Sequence, residues 1–198
     1  GVHVALGHSD ATYEEALACV NAGADIFVHT YNGMSGLHHR EPGMVGAAMT
    51  THGTYAEAIC DGHHLNPIAV RALVNAKGYD HTVLITDCMR AGGMPNGQYK
   101  LGDFPVVVEG GTARLMDESH SLAGSILRLF EGVKNVFDWG IVSAEEAVRM
   151  ASENPARSCG IDDVCGFIRP GYDADFIVIT KDLQLEETFL GGKSVYKA

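Results

Sequence analysis

Hydrophobic positions come in short runs along this chain, and a polar or charged cluster ends each of them. Val2-His-Val-Ala-Leu6 is a β-branched run that stops at Gly7-His8-Ser9. Thr12-Tyr-Glu-Glu15 then has the Thr-x-x-Glu form of a capping box, which predicts a helix closing at Gly23 with Ala16, Leu17 and Val20 on its apolar face. Ile26-Phe-Val28 is the second run and ends in His29, before the glycine-rich segment that leads to Arg40-Glu-Pro-Gly43. Ala56-Glu-Ala-Ile-Cys60 is the third, ending in Asp61-Gly-His-His64. Asn66 and Pro67 suit an N-cap and a first-turn proline for a helix closing at Gly78. Thr82-Val-Leu-Ile85 is the fourth run and stops at Thr86-Asp87. Strand, polar cluster, helix and strand in repetition predict βα units around a parallel sheet, each strand apolar on both faces.

The pattern changes beyond Asp87. Tyr99 to Met116 reads as hairpin-like strands, Phe104 to Glu109 and Ala113 to Met116, joined at Gly110-Gly111. Leu122 to Trp139 has a long helical period, with Ile126, Leu127, Phe130, Val133 and Phe137 on one side. Ser143-Ala-Glu-Glu146 is a second capping box, for a helix expected to end near Asn154-Pro155. The tail is rich in strands: Asp175 to Ile179, Thr188 to Leu190 and Ser194 to Tyr196. These divisions predict a barrel-like unit over 1–165 and strands of a small β domain over 166–198.

With 198 residues, 46% of them hydrophobic and 20% charged, the chain can bury a core, so disorder and fibrous repeats are excluded. A net charge of −11 disfavours nucleic acid and anionic membranes as partners. No apolar run reaches the roughly 18 residues of a membrane span, and no signal-peptide pattern opens the chain. The missing initiator Met and the abrupt apolar opening suggest a chain that begins inside a structure. Cys19, Cys60, Cys88, Cys159 and Cys165 form an odd set without a CxxC pair, which suits reduced thiols in a cytoplasm, each a small buried hydrophobe.

His8, His29, His64 and Asp87 end the four predicted strands, at intervals of 21, 35 and 23 residues, each wide enough for a return helix. In a parallel barrel the carboxyl ends of the strands share one face, so residues remote in sequence meet there. Imidazole and carboxylate suit zinc or a similar divalent ion, and a hydrolytic centre also needs a base, which Asp87 supplies. A lone strand-end histidine is ordinarily a bonded core or loop residue, and a lone aspartate a cap; four at corresponding strand ends argue for a site. His38, His39, His52 and His81 lack that context and read as surface or structural residues. Arg40 is either a clamp for a phosphate or the partner of Glu41 or another carboxylate. Leu122-Ala-Gly-Ser125 could present backbone N–H groups to a polar ligand.

Taken in order, Gly7-His8-Ser9-Asp10-Ala11-Thr12, His29-Thr-Tyr-Asn32-Gly33-Met34, Arg40-Glu-Pro-Gly43, Asp61-Gly-His-His64, Thr86-Asp87, Leu122-Ala-Gly-Ser125 and Gly171-Tyr-Asp-Ala-Asp175 resemble the N-acetylglucosamine-6-phosphate deacetylase family of the amidohydrolase superfamily. The resemblance runs along essentially the whole chain. It implies an α/β fold: the C-terminal half of a metal-dependent (β/α)8 TIM-like barrel, then strands of a small β-sandwich. It implies a cytoplasmic hydrolase of amino-sugar breakdown that removes the acetyl group from N-acetylglucosamine 6-phosphate, giving glucosamine 6-phosphate and acetate.

In that resemblance His8 and His29 are ligands of a divalent metal ion, zinc or iron. Asp87 is the acid/base, taking a proton from water and handing it to the leaving amine. Asn32 and Gly33 contact the sugar phosphate, and Arg40 binds the phosphate across a homodimer interface. Asp61, Gly62, His63 and His64 line the substrate pocket, with His64 the principal contact. Leu122, Ala123 and Gly124 close over the acetamido end. Family members are about twice this long, since a full barrel needs about 250 residues. The remainder would hold a metal-binding Glu and a further substrate histidine, so this chain alone is expected to have little or no activity. Two other readings stay open: a different amidohydrolase, such as a dihydroorotase-like enzyme or a deaminase, or a non-catalytic sugar-phosphate-binding fragment.

Overall fold

The computed structural model describes residues 1–198, and its first four apolar runs form one parallel sheet. Its strands are β1 (Ala5–Leu6), β2 (Ile26–Phe27), β3 (Tyr55–Ile59) and β4 (Thr82–Ile85), adjacent in that order. Leu6 pairs with Phe27, Phe27 with Ala56, and Ile59 with Ile85, all in parallel register. Sheet order equals chain order, so every carboxyl end lies on the same side, where barrel enzymes assemble their sites. The sheet does not close; it is a partial barrel. β1 is shorter than the run Val2 to Leu6, because Val2 is 91% exposed and has no strand to pair with.

Two return helices form as their caps predict. α1 (Tyr13–Asn21) opens with the full Thr12/Glu15 capping box, and α3 (Pro67–Lys77) opens with Asn66 accepting from the Ile68 amide. A third, α2 (Gly43–Thr50), has no counterpart in the sequence reading. Its first six residues, Gly43 to Ala48, are all buried, so it has no polar face to give a helical period.

Beyond β4, two antiparallel sheets of three strands appear. β5 (Gly97–Leu101), β6 (Phe104–Glu109) and β7 (Thr112–Leu115) make the first. Between the sheets lie α4 (Leu129–Asp138), α5 (Ala144–Ala151) and α6 (Glu153–Ser158). β8 (Phe176–Ile179), β9 (Leu185–Leu190) and β10 (Lys193–Lys197) make the second, in the order β10-β9-β8. The main core joins β3, β4, α3, α4 and α5 through Ala58, Leu73, Leu84, Val136 and Met150. Burying a side chain of this size contributes about 1.5–3 kcal/mol.

Two expected helices need correction. The period from Leu122 to Trp139 becomes helical only at Leu129, because Leu122 to Ser125 is spent on main-chain pairing. Leu122 bridges Arg114, and Ser125 bridges Cys88 in parallel at the end of β4. Asn154-Pro155 does not end the helical region but opens α6, where a first-turn proline loses no hydrogen bond. Asn154 is 1% exposed, and its amide donates to the carbonyls of Tyr79 at 2.7 Å and Thr82 at 2.8 Å, locking α6 to the start of β4. The cysteines also depart from expectation: only Cys60 is buried, while Cys19, Cys88 and Cys159 are exposed and none is paired. Burial pushes the Cys60 thiol up to about 12, so that one is an inert core residue. No helix is long and apolar enough to cross a membrane.

Candidate metal and substrate site

The strand ends meet as their order requires. His8 follows β1 and His29 follows β2, and their rings stand edge to face with centroids 4.6 Å apart. Asp87 follows β4 and lines, together with His8, a cavity of about 380 Å³. All three residues hold left-handed backbones, with φ of 45° at His8, 27° at His29 and 47° at Asp87. Side chains other than glycine rarely adopt that region, and such strain persists where the surroundings enforce it.

Two glycines do part of the enforcing. Gly33, at φ 63°, packs so closely on His8 that a Cβ there would lie 2.7 Å from the ring Nδ1. Gly124, also at φ 63°, would place a Cβ 2.9 Å from the Asp87 carbonyl oxygen. That carbonyl accepts the Ser125 amide at 2.8 Å, and the Met89 amide donates back to the Ser125 carbonyl at 2.9 Å. The Ser125 hydroxyl bonds the Thr86 carbonyl. Leu122 to Ser125 is thus clamped along the end of β4 rather than opening a helix. It puts Leu122, Ala123 and Gly124 on the wall of the cavity that holds Asp87.

His29 is 7% exposed, and its Nδ1 is buried without a hydrogen-bond partner. Buried polar nitrogens are nearly always bonded, and an imidazole left open beside another imidazole fits a divalent cation. His8 and His29 therefore suit two ligand positions. No group of three or more His, Cys, Asp or Glu side chains with metal-holding geometry occurs.

Around this centre the other expected residues have definite places. Asn32 turns back on its own loop, its side-chain amide donating to the His29 carbonyl at 3.1 Å. Arg40 is exposed and takes part in no ion pair, with Glu41 or any other carboxylate. Asp61 accepts the amides of His63 and His64 at 2.8 Å each and holds His64 Nδ1 at 2.7 Å. Burial raises the Asp61 carboxyl, but those hydrogen bonds outweigh it and hold the group below its usual value. The bond fixes the ring of His64 and commits one of its nitrogens, which leaves the other available. His63 is exposed and approaches the β6–β7 turn at Gly111. His8, Asp87, Leu122, Ala123 and Gly124 share the cavity; Asn32, Arg40, Asp61 and His64 lie outside its lining.

Sequence reasoning missed two groups. Leu101, Phe104 and Leu115, from β5, β6 and β7, are apolar residues lining the same cavity as His8 and Asp87. Their hairpin pattern carries no sign of which strand ends it will share a cavity with. Glu57, in β3, is the other. Burial pushes its carboxyl up, partly offset by the His29 amide, which donates to Oε2 at 3.3 Å, and by the His29 ring; Asp87 pushes it further up. A single charge inside the apolar run Ala56 to Cys60 was the available signal, and it contradicts the expectation of strands apolar on both faces.

Residues 1–195 match the amidohydrolase family. An N-acetylglucosamine-6-phosphate deacetylase of Vibrio furnissii is 46% identical over 198 residues, covering 100% of this chain and 49% of that protein. An N-acetylgalactosamine-6-phosphate deacetylase of Escherichia coli O157:H7 is 44% identical over 192 residues, covering 97% of this chain and 50% of that protein. The crystal structure of an N-acetylglucosamine-6-phosphate deacetylase from Thermotoga maritima superposes with a TM-score of 0.92 at 35% identity, covering 100% of this chain and 53% of that one. The chain spans about half the length of each of these three proteins.

Proposed function

The chain belongs to the amidohydrolase family, and on that premise we propose that it carries the acid/base and two metal ligands of an N-acetylglucosamine-6-phosphate deacetylase. The observation that carries the reading is the pair of imidazoles 4.6 Å apart beside the cavity that Asp87 lines. His8 and His29 would hold a divalent ion, zinc or iron, which supplies Lewis acidity toward an amide carbonyl and toward water when bound. Asp87 accepts the proton of the attacking water as oxygen bonds to the acetyl carbon. It returns that proton to nitrogen as the C–N bond breaks, giving acetate and the free amine. Leu122, Ala123 and Gly124 cover the acetamido end, and His64, set by Asp61, contacts the sugar together with Gly62 and His63. Asn32 and Gly33 frame the sugar phosphate.

Arg40, unpaired on the surface of an acidic chain, fits a phosphate clamp, and on the same reading it serves the partner's site in a homodimer. Five unpaired cysteines suit a cytoplasmic enzyme of amino-sugar breakdown. The unit over 1–165 carries the chemistry, and 166–198 belongs to a small β domain. With fewer than three metal-binding side chains gathered together, the 198 residues alone turn over weakly or not at all. N-acetylgalactosamine 6-phosphate is the second substrate to test, because the Escherichia coli O157:H7 relative that carries that name is 44% identical.

Calorimetry with both phosphorylated sugars and their unphosphorylated forms tests the reading. Arg40→Ala is expected to weaken the phosphorylated sugar about tenfold or more, in line with a lost charge-assisted pair, and to leave the free sugar unchanged. Equal losses for both, or no binding of either phosphorylated sugar, would contradict it. Robust acetate release by the 198-residue chain would contradict weak activity alone.

A further inference from the structure

We propose that Glu57 is a positioning residue that stitches the break in β2 and so aims His29 at His8. The inference rests on reading His8 and His29 as the metal-binding pair. Val28 donates its amide to the Leu6 carbonyl at 2.8 Å, toward β1. Two residues later Thr30 donates to the Glu57 carbonyl at 2.8 Å, toward β3 on the opposite side. An unbroken strand sends the amides of residues two apart in the same direction. The left-handed conformation at His29, φ 27°, makes the switch, and the His29 amide at the switch point is left without a strand carbonyl. The Glu57 side chain supplies the missing acceptor, taking that amide on Oε2 at 3.3 Å.

Glu57 therefore grips consecutive residues twice, with its carboxylate on residue 29 and its main-chain carbonyl on residue 30. On the other side of the turn, the His29 carbonyl accepts the Asn32 amide at 3.0 Å and the Asn32 side chain at 3.1 Å. The strained residue is held at both its N–H and its C=O, and Glu57 is the only side chain on the N–H. Groups that orient metal-binding histidines usually act on the imidazole; this one acts on the backbone beneath it.

The test compares Glu57→Ala with Glu57→Gln in the full 198-residue chain, by amide hydrogen exchange without metal and by zinc titration. Glu57→Ala is expected to speed exchange of the His29 amide about tenfold or more. The same variant is expected to weaken zinc binding at least about tenfold. Glu57→Gln keeps an oxygen acceptor and is expected to restore both to within about threefold of wild type. If Glu57→Ala does not fold, Glu57→Asp, whose shorter side chain falls short of the amide, is expected to show the same loss. Wild-type exchange at His29 in the alanine or the aspartate variant overturns the proposal. So does a glutamine variant that fails as the alanine variant does, since charge rather than the hydrogen bond would then matter. A wild-type chain that takes up no zinc would sink the metal reading, while the exchange data still decide the role of Glu57.

Discussion

The two ends of the parallel sheet are built on opposite principles. At the amino ends polar groups find partners. Lys77 Nζ donates to the Thr51 carbonyl and the Thr54 hydroxyl at 2.6 Å each, above the Phe27 ring at 6.0 Å. The Asn154 amide ties two carbonyls, and the Thr82 hydroxyl donates to the Gly78 carbonyl at 2.8 Å. Asp25 keeps one buried oxygen unbonded there, but its other oxygen meets His3 at 2.5 Å. At the carboxyl ends His8, His29 and Asp87 all hold left-handed backbones, and His29 Nδ1 and Thr30 Oγ1 are buried without partners. The left-handed backbones of His8, His29 and Asp87 and two of the three buried, unpartnered side-chain atoms thus fall at the carboxyl rim. That is the division expected when a ligand, rather than the fold, is to complete the second rim.

Substitutions at the two rims should separate accordingly. The largest effect is expected from Asn154→Ala, which removes both hydrogen bonds of a buried side-chain amide and should cost about 3 kcal/mol in urea unfolding. A loss of a few tenths would mean the amino rim is not the anchor. Gly124→Ala comes next, at about 2 kcal/mol, because a Cβ must enter the left-handed region against the Asp87 carbonyl. Gly124 lies on the carboxyl rim, but what it supports is backbone. His8→Asn should change stability by no more than about 1 kcal/mol, in the stabilising direction, since asparagine tolerates φ 45° better than histidine. Zinc uptake should nevertheless be lost. A strong destabilisation instead would show that His8 is a packing residue.

A pH series sharpens the amino rim further. Burial lowers Lys77 from 10.5 to about 8, so between those values the unfolded chain keeps a proton that the folded chain has released. Stability therefore rises with pH across that window, and below it the cost of burying the ammonium is fully present. Lys77→Met should flatten the wild-type rise when the two are compared by thermal melting; parallel curves would refute it. The smallest effect is expected from Phe104→Ala. Phe104 is 63% exposed, so stability should move by less than about 0.5 kcal/mol, and any change should fall on binding in the cavity it lines.

How much of this was legible depended on whether the signal was local. Capping boxes at Thr12 and Ser143 and the cap at Asn66 are self-contained, and the structure keeps all three. Strand ends were legible for the same reason, and parallel order then carries His8, His29 and Asp87 to one side. The helix Gly43–Thr50 was not, because burial on all sides removes the contrast that makes a period visible. Leu122 to Ser125 reads as helix until Cys88 is seen to pair with Ser125, a contact 37 residues away. Glu57 stood out as a charge in an apolar run, but its use depends on a change of hydrogen-bonding side at residue 29 that no local pattern encodes.

A titration with cobalt(II), followed by its visible absorption in wild type, His8→Asn and His29→Asn, measures the central juxtaposition most directly. A single saturable site in wild type that both variants lose is the expected result. Uptake that survives either substitution would contradict a cation shared between the two imidazoles.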